Sequence, residues 1–173
     1  TGACSSVAAT AYTKHVRTPA PTLCTASIFA AIYCQMTQPD LEILLDTPAA
    51  RLVYHTKPKI VHHELRRFVH GAELRNVLEQ GALLVEKRGA RRWLSDDRGN
   101  GPVKPGDEEW AKTVWFPRVA AAGWRHWAVV MPEGVVGQMN MRRWIDTYAA
   151  LGINAYPFGD PDEALVWLIS QTD

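Results

Sequence analysis

Beyond residue 35 this 173-residue chain contains no cysteine; Cys4, Cys24 and Cys34 all lie in the first 35 positions. The absence excludes a disulfide, a thiolate nucleophile and a Cys-ligated zinc from the main part of the chain. It fits a reducing, cytoplasmic compartment. The first 35 residues in turn hold no Asp or Glu, and their only Lys and Arg are Lys14 and Arg17. The rest carries 17 basic against 18 acidic residues. No large basic field therefore exists to hold nucleic acid or an anionic membrane. The most apolar run of the first 35 residues, Leu23 to Tyr33, spans 11 residues. That is the length of a signal-peptide core and too short to cross a bilayer. Nucleophile-elbow, HExxH, Walker and GxGxxG patterns are all missing. Their absence weighs against an enzyme, and no catalytic residue, metal ligand set or cofactor is assigned.

Hydrophobic residues make up 47% of the chain and charged residues 21%, the balance of a folded globular protein rather than a disordered one. The length suits one domain. Met36-Thr37-Gln38-Pro39-Asp40 precedes a strand-like run and reads as a natural N-terminus. Residues 1–35 are rich in Ala and Thr and show no sustained period. They are expected to be an extension outside the domain: a disordered or non-native tail, a start placed too far upstream, or a targeting segment. Residues 36–173 are expected to form the domain.

Three short runs, Leu41 to Asp46, Arg51 to Thr56 and Ile60 to Val69, are broken at Thr47-Pro48 and Lys57-Pro58-Lys59. They predict an antiparallel meander. The period then lengthens. Leu74, Val77, Leu78, Gly81, Leu84 and Val85 share one helical face, and Gly89 closes it. Strand-like stretches at 92–95, 127–131 and 153–158 alternate with helical ones, the second helix running to about Ala122 with a kink expected at Pro117. Asp160-Pro161-Asp162-Glu163 opens the last helix as a capping-box-like start. The order βββαβαβαβα predicts an α/β fold: a mixed sheet with an N-terminal meander followed by parallel βα repeats.

Three stretches carry a resemblance: Trp93-Leu94-Ser95-Asp96-Asp97-Arg98, then Glu109-Trp110 through Val114-Trp115-Phe116-Pro117-Arg118, then Gly137-Gln138-Met139-Asn140-Met141. In their βαβαβα frame they resemble a group of small bacterial proteins with a STAS-like fold, also described as STAS/SEC14-like. That is the fold of sporulation anti-anti-sigma factors and of sulfate-transporter cytoplasmic domains. The resemblance implies a regulatory, non-catalytic interaction module. Those factors carry a phosphorylatable hydroxyl in an Asp-Ser-Gly-like turn. The corresponding stretch here, Asp96 to Gly101, has none before Thr113, so a phosphorylation switch is not expected.

Ligands of open α/β sheets gather beyond the carboxyl ends of the strands. This points to Asp96, Asp97, Arg98 and Asn100 after one strand, Glu133 after the next, and Gln138 and Asn140 at a helix start, near Arg142 and Arg143. Asp96 and Asp97 together suit a divalent cation or acid–base work. The plainer reading is that one caps the turn while the other pairs with Arg98. Trp110, Trp115 and Trp144 are candidate walls of an apolar pocket, or simply core. His62 and His63 alternate on a strand and face opposite sides, so they cannot share a metal; His63 is the one expected to reach His55. Expected partners are a protein chain, including a second copy of this one, or a small lipid-like, hydrophobic or anionic ligand. Nucleic acid and integral membrane association are not expected. An enzyme using Asp96 or Asp97 ranks third, after an interaction module and a ligand-binding protein. A cavity among the tryptophans would favour ligand binding; a filled core would favour the interaction module. A second location for a partner is the His-rich meander, by strand addition.

Overall fold

The computed structural model describes residues 40–172; the expected extension at residues 1–35 lies outside them. β1 (Leu41–Asp46), β2 (Ala50–His55) and β3 (Ile60–Leu65) form the expected meander. The Thr47 hydroxyl accepts from Ala50 N–H (3.0 Å) and donates to Ala50 O (3.0 Å), which tightens the first turn. An irregularity between Ile43 and Leu45 breaks the β1 ladder, as a bulge does on an edge strand. β3, β4 (Arg92–Asp96), β5 (His126–Val130) and β6 (Asn154–Phe158) then run parallel. The six strands lie side by side in sequence order.

That order fixes the layers. Right-handed crossovers between strands laid down successively in one direction put every crossover helix on the same face. α1 (Ala72–Arg88), α2 (Pro105–Trp110) and its continuation α3 (Phe116–Ala122), and α4 (Val135–Ala150) cover that face. α5 (Pro161–Ser170), capped by the Asp160 carboxylate accepting from the N–H groups of Asp162 and Glu163, follows the last strand and packs on the other. Strand alternation divides the side chains accordingly. Val61, Trp93, Trp127 and Val129 join the helices of the first face, while Ile60, Leu94, Ala128 and Val130 meet Ala164 and Leu168 of α5.

Pro117 does not interrupt the second helix. A π-helical turn over Ala111–Trp115 joins α2 to α3, and Phe116 N–H reaches back to Ala111 O. Proline cannot donate to the carbonyl four residues back and crowds it. The wider turn one residue upstream absorbs that strain, so the expected kink becomes a π bulge.

The first face is built on aromatic rings. Trp124 is 1% exposed and lies within 5.5–6.0 Å, centroid to centroid, of Trp93, Trp115, Phe116, Trp127 and Tyr148. Most contacts are edge-to-face, the geometry the ring quadrupole favours. Most of the indole N–H groups also have partners. Trp124 donates to His126 O at 3.0 Å, Trp115 to Leu78 O at 3.0 Å, Trp127 to Ser95 Oγ at 2.8 Å and Trp93 to His63 Nδ1 at 3.0 Å.

Candidate functional site

The aromatic rings do not fill the space between them. Between sheet and helices lies a cavity of about 80 Å³. Its floor is His63 and Leu65 of β3, Trp93 and Ser95 of β4, Asp97 just beyond, and Trp127 of β5. Leu74 and Leu78 of α1 close one side, Ala111 and Trp115 another, and Met141, Trp144 and Tyr148 of α4 a third, with Trp124 behind them. Leu78, Asn100 and Val103 are the partly exposed apolar or amide residues of the lining and mark its mouth. An apolar cavity of ~150 Å³ holds benzene, so this one suits roughly three to five non-hydrogen atoms.

The polar groups on the floor are arranged by strand parity. His63 and Ser95 are neighbours across the β3–β4 ladder. Trp93, Ser95 and Asp97 share a face, so Asp97 turns to the helices, whereas Asp96 turns to the side of α5. There Asp96 takes both Arg98 Nε (2.9 Å) and Arg98 Nη2 (2.7 Å). Arg98 is accordingly held above its usual range, first by that bond. The two adjacent carboxylates cannot act on one ion or one substrate. Among the described residues no three His, Cys, Asp or Glu side chains form a metal-binding group.

Asp97 is 4% exposed. Its main chain is tied by Asp97 N–H to Val130 O (3.1 Å) and Asn100 N–H to Asp97 O (2.9 Å). His63 Nε2 lies 3.8 Å from the Asp97 Oδ1, beyond hydrogen-bond reach. Since His63 Nδ1 accepts the Trp93 indole proton, its own proton belongs on Nε2. Ser95, His63 and Asp97 thus have the composition of a hydrolytic triad without its wiring. The histidine lone pair that would take a serine proton is already occupied by Trp93, and Ser95 Oγ accepts from Trp127. The other buried carboxylate of the lining, Asp107, has firm partners: Gly71 N–H at 2.7 Å and Arg75 Nε at 3.0 Å.

Comparison with protein-family models, curated proteins and solved structures finds no match to this chain. The site therefore stands on its geometry.

Of the residues expected from sequence, Asp97, Asn100, Trp115 and Trp144 line the cavity, while Asp96, Arg98, Glu133, Gln138, Asn140 and Trp110 do not. Asn100 and Asn140 are loop ties: Asn100 Oδ1 accepts from Val69 N–H and Asn140 Oδ1 from Val103 N–H, each at 3.1 Å. Glu133 is exposed, and its backbone N–H donates to Arg98 O at 3.2 Å. Trp110 lies outside, beneath the Arg75 guanidinium at 5.1 Å from the ring centroid. His63, Ser95, Asp107 and Trp93 join the cavity lining from outside the expected set, and Trp124, just before β5, and Trp127, within it, complete the wall. The parity of β4 was the available signal: placing Trp93 on the helix face also places Ser95 and Asp97 there.

The histidine pair also differs from expectation. His55 meets His62, not His63, with rings stacked 5.6 Å apart and Nε2 to Nδ1 at 3.3 Å. Val53 is the residue directly across from His62, so His55 and His62 are diagonal neighbours on one face, and His63 points to the other. Burial lowers His55 to about 4. Burial, followed by the neighbouring His55, lowers His62 to about 3.

Proposed function

We propose that this domain binds or senses a small ligand in the aromatic cavity and does no covalent chemistry there. The observation that carries the reading is the cavity itself, lined by a carboxylate, Asp97, with no Lys or Arg partner among the described residues. Protein interiors pack with few voids larger than a water molecule. A space of about 80 Å³ walled by rings that hold one another in place supports a preformed, mostly apolar site for a very small ligand. The wiring of His63 and Ser95 argues against nucleophilic catalysis. The STAS-like resemblance adds a regulatory setting to the proposal. Because the turn from Asp96 to Gly101 offers no hydroxyl, the input in that setting is an occupied pocket rather than a phosphate.

A fragment screen read through indole N–H resonances tests this. Binding is expected to move Trp93, Trp115, Trp124, Trp127 and Trp144 and to leave Trp110 and Trp167 in place. Ala111→Leu, which puts a larger side chain on the cavity wall, is expected to abolish the response. Shifts confined to β1–β3 would discard the cavity.

A second reading, a docking module for another protein, is favoured by one observation. Val135, Val136 and Met139 at the start of α4 are 72%, 65% and 69% exposed, an apolar cluster unusual for a solvated helix end. No helix among the described residues is long and apolar enough to cross a membrane.

A further inference from the structure

We infer that the cavity takes a small organic cation, an alkylammonium head group or one of similar size, seated against the indole faces with its charge on Asp97. This deepens the ligand-binding reading and rests on it. Three observations point the same way.

The first is the charge of the lining. Among the described residues it contains two carboxylates, Asp97 and Asp107, and no Lys or Arg. Asp107 is matched by Arg75 and by the Gly71 N–H. Asp97, 4% exposed, has the His63 Nε2 at 3.8 Å and no Lys or Arg of the described residues at ion-pair distance. A buried carboxylate is costly without a counter-charge or donors, and the group that would supply both is a cation bearing N–H. An anionic head would meet the Asp97 carboxylate with no Lys or Arg in the lining among the described residues, so the anionic ligand expected from the sequence suits this cavity less well than a cation.

The second is the wall. Aromatic faces attract cations through the ring quadrupole, and indole is the best of them. Trp93, Trp115, Trp124, Trp127 and Trp144 surround the space, and four of the five indole N–H groups are turned to hydrogen-bond partners in the protein. The fifth, on Trp144, is buried without a hydrogen-bond partner among the described residues.

The third is size. Roughly three to five non-hydrogen atoms matches a short alkylammonium, with the remainder of a longer ligand leaving past Leu78, Asn100 and Val103.

The experiment uses the full chain, isotope-labelled, and three probes of nearly equal size: n-propylammonium, 1-propanol and propionate, at neutral pH and matched ionic strength. Dissociation constants come from the shifts of the five wall indoles. Propylammonium is expected to bind about tenfold or more tightly than propanol, the scale of a charge-assisted hydrogen bond, and propionate most weakly. In Asp97→Asn the advantage of the amine over propanol is expected to shrink to about twofold or less. If propanol or propionate binds as tightly as propylammonium, the cation assignment is overturned and the cavity remains a ligand site. If none of the probes moves a wall indole, the cavity reading itself falls. Should Asp97→Asn fail to fold, the three-probe comparison on the unaltered chain still decides the assignment.

Discussion

Gly81 of α1 packs directly against the Trp93 ring of β4, and Gly81→Ala sets two opposing terms against each other. In a helix interior, alanine is favoured over glycine by about 1 kcal/mol. A Cβ on Gly81, however, would lie 2.3 Å from Trp93 Cη2, 2.6 Å from Cζ2 and 3.2 Å from Cζ3. Carbon atoms rest at roughly 3.5–4.0 Å, so the ring has to retreat by more than an ångström. Trp93 is 1% exposed. Trp115 stands 5.3 Å and Trp124 5.8 Å from it, centroid to centroid, and its N–H is tied to His63. Overpacking a core of this kind costs about 1–3 kcal/mol, and a clash with a fixed ring belongs at the upper end. The net expectation is a loss of about 2 kcal/mol in urea unfolding followed by tryptophan fluorescence. Trp93 lines the cavity, so a ring displaced into that space is expected to cost the same variant the indole shifts produced by propylammonium. Gly106→Ala is the control: its added Cβ meets nothing within 4 Å, and stability is expected to be unchanged or slightly higher. A Gly81→Ala protein at least as stable as the parent would refute the packing argument.

Two further outcomes follow from the same contacts. Ser95→Ala removes the acceptor of the Trp127 indole N–H and leaves that donor buried; unfolding free energy is expected to fall by about 1–3 kcal/mol, and a loss below about 0.5 kcal/mol would mean that water or a shifted ring replaces the hydroxyl. The His55–His62 pair gives a pH dependence. Both rings stay neutral in the fold at pH values where the unfolded chain, titrating near 6.5, binds protons. Stability is therefore fully present above about pH 6.5 and declines as pH falls, by about 1.4 kcal/mol per pH unit for each ring at most, levelling only near the folded values of about 4 and about 3. Urea unfolding at stepped pH checks this; a flat profile between pH 6.5 and 4.5, or one that His62→Gln leaves unchanged, contradicts it.

The parts of this fold legible in the sequence are those set by local period. Met141, Trp144, Ile145 and Tyr148 share a face at i, i+3 and i+4 spacing, and all four are buried. Asp160 caps its helix because the carboxylate is two and three residues from the amides it accepts. What the period does not reveal is which of two alternating strand faces meets the helices. From sequence Asp96 and Asp97 read either as a cation-binding pair or as a turn cap beside an Arg98 partner; the Arg98 pairing is present, on Asp96, while Asp97 turns to the cavity. The same ambiguity assigned His63, rather than His62, to His55. Trp110 and Trp115 are five residues apart, a spacing that an α-helix of about 3.6 residues per turn sets on different faces, and only Trp115 lines the cavity. Trp124, the centre of the cluster, lies in the short connection between α3 and β5, where no periodicity exists to read.

The cavity has an energetic consequence that links the core to the proposed site. At ~24 cal/mol per Å³, about 80 Å³ of unfilled space withholds roughly 2 kcal/mol of packing energy from the ligand-free fold. A flexible core would recover part of that by collapse. Here the walls are indoles, stiff side chains, and most are fixed by edge-to-face neighbours and by an N–H bond, so the space persists. The buried charge of Asp97 adds to the cost. A ligand that fills the space and meets the charge stabilises the fold by mass action: at a free concentration some thirtyfold above its dissociation constant, by about 2 kcal/mol, the same size as the packing deficit. In the proposed ligand-binding reading, occupancy and folding stability are coupled through Trp93, Trp115 and Trp124, the rings that form both the cavity wall and the centre of the core.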